Sequence, residues 1–140
     1  MIVLDTNVVS ELMKASRSEA VLAWLSTQQE VDDLFVTAIT LAEVLYGIEL
    51  LPKGKRRDGL ERQADAMFTQ DFAGRILSFD DPAARIFPLL AAGRRKLGRP
   101  IEFFDAQIAA ITRAHSATLA TRNTDDFEGC GVRLINPWKE

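Results

Sequence analysis

The sequence predicts an α/β protein, with a central, mostly parallel sheet flanked by helices. Two observations predict it. Short apolar runs, "IVL" (2–4), "LFVTA" (34–38), "RILSF" (75–79), "ATLAT" (117–121) and "VRLIN" (132–136), read as strands, and the first has the continuous apolarity of a strand buried inside a parallel sheet. Segments of helical pattern fall between most of them, and strands that alternate with helices build parallel sheets.

The elements follow in chain order. Residues 1–5 form a strand, and "NVVSELMKA" (7–15) forms a helix. Ser18 is an N-cap with Glu19 behind it, and opens the helix "EAVLAWLSTQ". The strand at 34–38 leads into "TLAEVLYGIELL" (40–51), a helix ending near Pro52, Lys53 and Gly54. Residues 56–73 form a polar, amphipathic helix, and 75–79 a strand. Asp81 and Pro82 supply a cap and a proline in the first helical position, and that helix runs to Leu97. "FFDAQIAAITRAH" (103–115) is the last long helix, followed by the strands at 117–121 and 132–136. The 140 residues are expected to form one domain, 1–140, long enough for a real core.

Composition excludes several function classes. Hydrophobic residues make up 47% and charged residues 26%, ordinary for a soluble globular protein. A net charge of −3 lacks the global positive excess of non-specific nucleic-acid binders, so any such contact rests on local basic patches. One cysteine, Cys130, forms no internal disulfide, which fits a reducing cytoplasm. No apolar run approaches the ~18 residues of a membrane span, and Asp5 interrupts any signal-like start. A single histidine, His115, excludes a two-histidine acid–base pair and any zinc site needing two. A Cys130–His115 nucleophilic pair is disfavoured, because "EGCGV" is turn-like and offers no helix N-terminus to lower the thiol pKa.

Four acidic positions stand out. Asp5 follows a buried strand, at the carboxyl end where α/β crevices form; capping the next helix explains it too. Glu43 lies in a helix apolar on almost every side, including Leu41, Val44, Leu45, Ile48 and Leu51, which predicts a buried helix. Asp105 sits among Ile101, Phe103, Phe104, Ile108 and Ile111, in a first turn where the helix dipole favours an anion. Asn123, Asp125 and Asp126 lie in "TRNTDDF" beyond a strand end, where turn chemistry also places such residues. If these groups converge, two carboxylates at about 4 Å cost on the order of 4 kcal/mol at an effective dielectric of 20. A hard divalent cation, Mg²⁺ or Mn²⁺, is the natural partner for a histidine-free carboxylate cluster. Such a site supports hydrolysis of a phosphodiester.

On these residues the chain resembles the PIN-domain ribonucleases, specifically the VapC-like toxins in their FitB-like branch. The motifs are "IVLDTNVVSEL", "TAITLAEVLYGIELLPKGKRR", "GRPIEFFDAQIAAITRAHSATLATRNTDDFEG" and "GVRLINPW", nearly end to end. The resemblance implies a metal-dependent endoribonuclease in which Asp5, Glu43 and Asp105 hold Mg²⁺. Asn123 stands where many PIN domains have aspartate, so Asp126 becomes the fourth acid and Asp125 a weaker substitute. Phe103 and Phe104 precede Asp105 where relatives often carry small residues. The hydroxyls of Thr6 and Thr121 are candidates for holding water or a phosphate oxygen, with capping an equal alternative. The resemblance also implies a homodimer and a cognate antitoxin of ribbon-helix-helix type, through which promoter DNA is contacted indirectly.

Two basic clusters, Lys53, Lys55, Arg56 and Arg57, then Arg94, Arg95, Lys96 and Arg99, hold nearly half of the 17 Lys and Arg residues. They are candidates for RNA phosphate contact, or solvated helix ends favoured by the dipole. The competing function is a catalytically weak binding subunit of the same fold that acts only through antitoxin or nucleic acid. A phosphoacceptor signalling domain also puts Asp at strand ends, but a strand-end lysine and paired acids at the first strand are missing here.

Overall fold

The computed structural model describes residues 1–28 and 33–139. Five short strands, β1 (Ile2–Leu4), β2 (Leu34–Thr37), β3 (Ile76–Leu77), β4 (Thr118–Ala120) and β5 (Arg133–Ile135), form one sheet in the order β3-β2-β1-β4-β5. Among the described residues every strand pairing is parallel, as expected of a mostly parallel sheet. Ile2 lies in register with Leu34 on one side and Thr118 on the other. The chain steps outward from β1 to β2 and β3, then crosses back to β4 and β5. β1 and β4 are therefore neighbours whose connections leave in opposite directions. That is the switch point at which α/β sheets open a crevice beyond their carboxyl ends.

Side chains alternate across β1. Leu4 joins a core with Val8, Val9, Trp24, Val36, Val44 and Phe68, while Val3 joins another with Leu90, Ile108, Ile111, Leu119 and Phe127. The first core is covered by α1 (Thr6–Leu12), α2 (Glu19–Thr27), α3 (Ala38–Glu49) and α4 (Lys55–Ala66); the second by α5 (Asp81–Lys96), α6 (Phe103–Ala114) and the short α7 (Thr124–Phe127). Trp24 is core, 5% exposed.

Local chemistry explains most boundaries. Ser18 Oγ accepts from the Val21 N–H at 3.3 Å, and Thr37 Oγ1 from the Thr40 N–H at 3.1 Å, each satisfying an orphan donor of a first turn. The cap of α5 is Asp80, one residue before the expected Asp81, because its carboxylate accepts from the Ala83 N–H at 3.2 Å. The predicted helix over 56–73 is α4 plus a π-helical turn, Met67–Asp71, closed by the Phe72 N–H on Met67 O at 2.9 Å. α7 was not anticipated; its four residues are too few to show a period. α3 also departs from expectation. It meets the core through Thr40, Val44 and Ile48, one stripe at a four-residue spacing, while Leu45 (46% exposed), Tyr46 (65%) and Leu50 (67%) face outward.

Arg94 corrects the sequence reading most sharply. It is 5% exposed, so it is neither a solvated helix end nor available to an RNA phosphate. Its Nη1 donates to the carbonyls of Asp126 (2.7 Å) and Glu128 (3.1 Å), and its Nε to the carbonyl of Arg99 (2.7 Å). One guanidinium thus ties the end of α5 to α7, which carries Asp126, and to the loop that follows it. Gly129 and Gly131 both hold positive φ, 80° and 73°, which lets that loop turn tightly around Arg94 and the buried Cys130. Truncating Arg94 leaves these carbonyls without donors. Arg94→Ala is expected to lower stability by about 2–4 kcal/mol, and exposed Arg95→Ala to stay within about 0.5 kcal/mol, as read from urea unfolding midpoints.

Candidate active site

Asp5 stands at the end of β1, 5% exposed. Its backbone N–H continues the ladder to Ala120 O at 2.9 Å. The side chain does two jobs. Oδ1 accepts from the Thr6 N–H at 2.8 Å, capping α1, while Oδ2 accepts from the Thr121 hydroxyl at 2.7 Å and from Asn7 Nδ2 at 3.3 Å. Capping is thus true of one oxygen and a crevice contact of the other. Thr121 follows β4, so its bond to Asp5 spans the switch point.

Glu43 projects from α3 into the same region, half-buried. Its Oε1 accepts from the Thr6 hydroxyl at 2.8 Å. Thr6 Oγ1 lies 3.0 Å from Thr40 Oγ1, which accepts from the Thr37 hydroxyl at 3.4 Å. A hydroxyl has one proton, so the chain Thr37, Thr40, Thr6, Glu43 has a consistent direction ending on the carboxylate. In this arrangement the Thr6 hydroxyl donates to Glu43 and the Thr121 hydroxyl to Asp5.

Asp105 lies in the first turn of α6, half-buried. Asp5, Glu43 and Asp105 line one pocket of about 400 Å³, with Thr6, Asn7 and Asn123. Burial pushes the Asp105 carboxyl up from 3.8 to about 7, and the negative charges of Asp5, Glu102, Glu43 and Asp126 push the same way. Asp5 is also raised by burial, against the lowering effect of its bonds to Thr121 and Thr6, with Glu43 and Asp126 adding repulsion. Among the described residues, no group of three or more His, Cys, Asp or Glu is arranged to hold an ion by itself. The donor set still suits a hard cation, which takes oxygen ligands and, in the case of Mg²⁺, keeps several waters.

The fourth position divides. Asn123 lines the pocket, while Asp126 stands outside its wall on α7 and acts on Asp5 and Asp105 through its charge. Asp125 is exposed and off the pocket, its carbonyl accepting from Arg99 at 3.2 Å. The pocket also contains Asn7, Ser10, Glu11, Lys14, Arg122 and Trp138, none of which the sequence reading singled out. Asn7 had a signal, since it sits two residues from Asp5 at the start of a helix; Arg122 and Trp138 had none, since only the fold brings β4 and the end of the chain together. Cys130 is no rival nucleophile, for burial raises its thiol pKa.

A second groove, about 990 Å³, runs between α1, α3 and α4. Met13, Val44, Ile48, Leu51 and Leu60 give it an apolar floor, and Lys14, Arg17, Lys55 and Arg56 stand among its polar lining. Arg57 is instead pinned by Glu49 (2.8 Å) and Glu61 (3.0 Å), and Arg99 pairs with Glu128 at 3.5 Å. Lys53, Arg95 and Lys96 are exposed and line neither cavity.

The Asp105 carboxyl binds its proton more tightly folded, at about 7, than in the ordinary carboxylate range near 3.8. Its contribution to stability is therefore fullest below the lower value and is lost as pH rises through the upper one. In EDTA, the melting temperature should fall between pH 5 and pH 8. Asp105→Asn should flatten that fall and melt higher than the parent at pH 8, as calorimetry would record.

Comparison with known proteins gives the family and the fold. The family model of the PIN domain matches residues 2–130. The chain is 43% identical over 139 residues to VapC ribonuclease Y4jK of Sinorhizobium fredii, covering 99% of each. It is 39% identical over 140 residues to toxin FitB of Neisseria gonorrhoeae, covering 100% of each. A solved structure of FitAB bound to an IR36 DNA fragment superposes with a TM-score of 0.91 at 40% identity, covering 99% of this chain and 96% of that one. The chain belongs to the PIN-domain family, in its VapC- and FitB-like branch.

Proposed function

We propose that this protein is a Mg²⁺-dependent endoribonuclease and the toxin of a type II toxin–antitoxin pair. The observation that carries the reading is the meeting of Asp5, Glu43 and Asp105, from the end of β1, α3 and α6, in one pocket, with Asp126 close enough to repel Asp5 and Asp105. Asp5, Glu43 and Asp105 would hold the cation, with Asp126 reaching it through water. When bound, Mg²⁺ (or Mn²⁺) neutralises the carboxylates, polarises the phosphate and lowers the pKa of a water. The chain's own work is orientation. Thr121, Asn7 and the Thr6 amide fix both oxygens of Asp5, and the Thr6 hydroxyl fixes one of Glu43. Such outer partners set carboxylate direction at a metal site.

The partner side of the reading is a cognate antitoxin, of ribbon-helix-helix type, that carries the pair to promoter DNA. The groove beside Glu43 supports it, since an apolar floor with flanking cations suits an amphipathic segment. The homodimer is supported by exposed apolar side chains on α5 and α6, namely Leu89 (66%), Phe103 (72%) and Phe104 (54%). No described helix is long and apolar enough to cross a membrane; action on RNA in the cytoplasm is part of the proposal.

The test is cleavage of a labelled single-stranded oligoribonucleotide. Activity should appear with Mg²⁺, vanish in excess EDTA and return on adding Mg²⁺. Asp5→Asn and Glu43→Gln should each lower kcat/KM by about 100-fold or more, which is ~2.7 kcal/mol of transition-state stabilisation. Induction without an antitoxin should arrest growth for the parent and not for Asp5→Asn. Cleavage in EDTA, or toxicity surviving that substitution, would refute metal catalysis; RNA binding without cleavage would favour the non-catalytic binding subunit.

A further inference from the structure

Two cations, Lys14 and Arg122, stand on the rim of the acidic pocket. Lys14 is paired with Glu11 at 3.1 Å. Arg122 is exposed; its charge also acts on Glu11, but among the described residues it closes onto no carboxylate as an ion pair. Its guanidinium carbon instead stands over the Trp138 ring, 5.0 Å from the centroid. Trp138 is half-buried and packs on the first core, so the platform under the guanidinium is fixed.

The backbone is tied to the same place. Trp138 N–H donates to Asn136 Oδ1 at 3.0 Å, Asn136 Nδ2 to Arg122 O at 3.4 Å, and Arg122 N–H to Asn7 Oδ1 at 3.2 Å. Asn7 Nδ2 in turn donates to Asp5 Oδ2 at 3.3 Å. The last residues of the chain are thereby linked, bond by bond, to the carboxylate at the centre of the pocket.

An arginine beside so much negative charge would gain by closing onto a carboxylate. Standing on an indole, it keeps its fork of donors for another anion. A guanidinium fork matches two oxygens of a phosphate, and cation–π contact holds it without consuming those donors. We infer that Arg122 binds a backbone phosphate of the RNA strand neighbouring the one hydrolysed, and that Trp138 is a positioning residue acting through Arg122. This rests on the nuclease reading and adds to it the place where the substrate strand leaves the carboxylates.

A contact to a flanking phosphate is the same in ground and transition states, so its loss raises KM and leaves kcat. Arg122→Ala should raise KM for a single-stranded oligoribonucleotide about tenfold, the usual scale of one charge-assisted contact, and Arg122→Lys should recover part of it. Trp138→Leu should raise KM about two- to fivefold, the scale of an exposed cation–π pair, and have no further effect in the Arg122→Ala background. A merely structural tryptophan would act equally in both backgrounds. Binding of the same labelled oligonucleotide in EDTA, followed by anisotropy from 50 to 300 mM KCl, reads the contact without turnover. There the slope of log affinity against log salt should shrink by about 0.7 in Arg122→Ala, the value for one phosphate on a single strand.

A parent that binds but does not cut, with that slope lost in Arg122→Ala, would sink the nuclease reading and sustain this one. An Arg122→Ala protein with unchanged KM and slope would overturn it, and would leave the guanidinium to a carboxylate of a protein partner. A parent that binds no RNA would overturn it as well.

Discussion

A carboxylate buried where two parallel strands part needs donors, and Asp5 finds three of them on two segments. The Thr6 backbone N–H and the Asn7 side-chain amide come from the helix it caps, and the Thr121 hydroxyl from just beyond β4. Isolated burial of a charge is costly, and these bonds make it tolerable only while β1 and β4 stay in register. The register is fixed by Val3 opposite Leu119 and Leu4 opposite Ala120, residues that carry the two cores to opposite faces. The hydrophobic pattern of β1 therefore sets the position of the charge, and the charge brings Thr121, Asn7 and Arg122 to the same spot.

Around that point the fold concentrates negative charge that it does not itself neutralise. Asp105 is driven up to about 7 by burial first and by its acidic neighbours second. The structure offsets this repulsion with hydroxyl and amide donors, and keeps the cations at the periphery. Lys14 leans on Glu11, Arg57 on Glu49 and Glu61, Arg99 on Glu128. An anionic centre whose cations are held at arm's length is suited to a mobile divalent ion, since a fixed arginine in the centre would occupy the oxygens a metal needs.

Much of this was legible in the sequence. Asp5, Glu43 and Asp105 are charges set inside apolar runs, and that anomaly is local, so reading along the chain finds it. The strands were legible for the same reason, and their parallel pairing followed from the helices between them. Arg94 was not, because "GRRK" looks uniformly polar while only one of its residues falls on the inward face of α5; two of its three carbonyl acceptors come from more than thirty positions away. The roles of Thr6 and Thr121 were hidden by donor direction, which depends on partners across the sheet. α3 misled in the opposite sense. Its all-round apolarity predicts burial, but a helix on the flank of a five-stranded sheet touches the core along one stripe, so Leu45, Tyr46 and Leu50 stay outside.

The two cavities are not independent. The acidic pocket and the apolar groove share Thr6, Ser10, Lys14 and Glu43 in their walls. A chain segment lying along Val44, Ile48 and Leu60 therefore meets Glu43 at its end, without crossing open solvent. Because the Thr6 hydroxyl holds Glu43 while the Thr6 amide holds Asp5, a shift of Glu43 toward such a segment pulls on the anchor of both carboxylates. One threonine, donating by its backbone to Asp5 and by its hydroxyl to Glu43, thus stands in the wall common to the groove and the pocket.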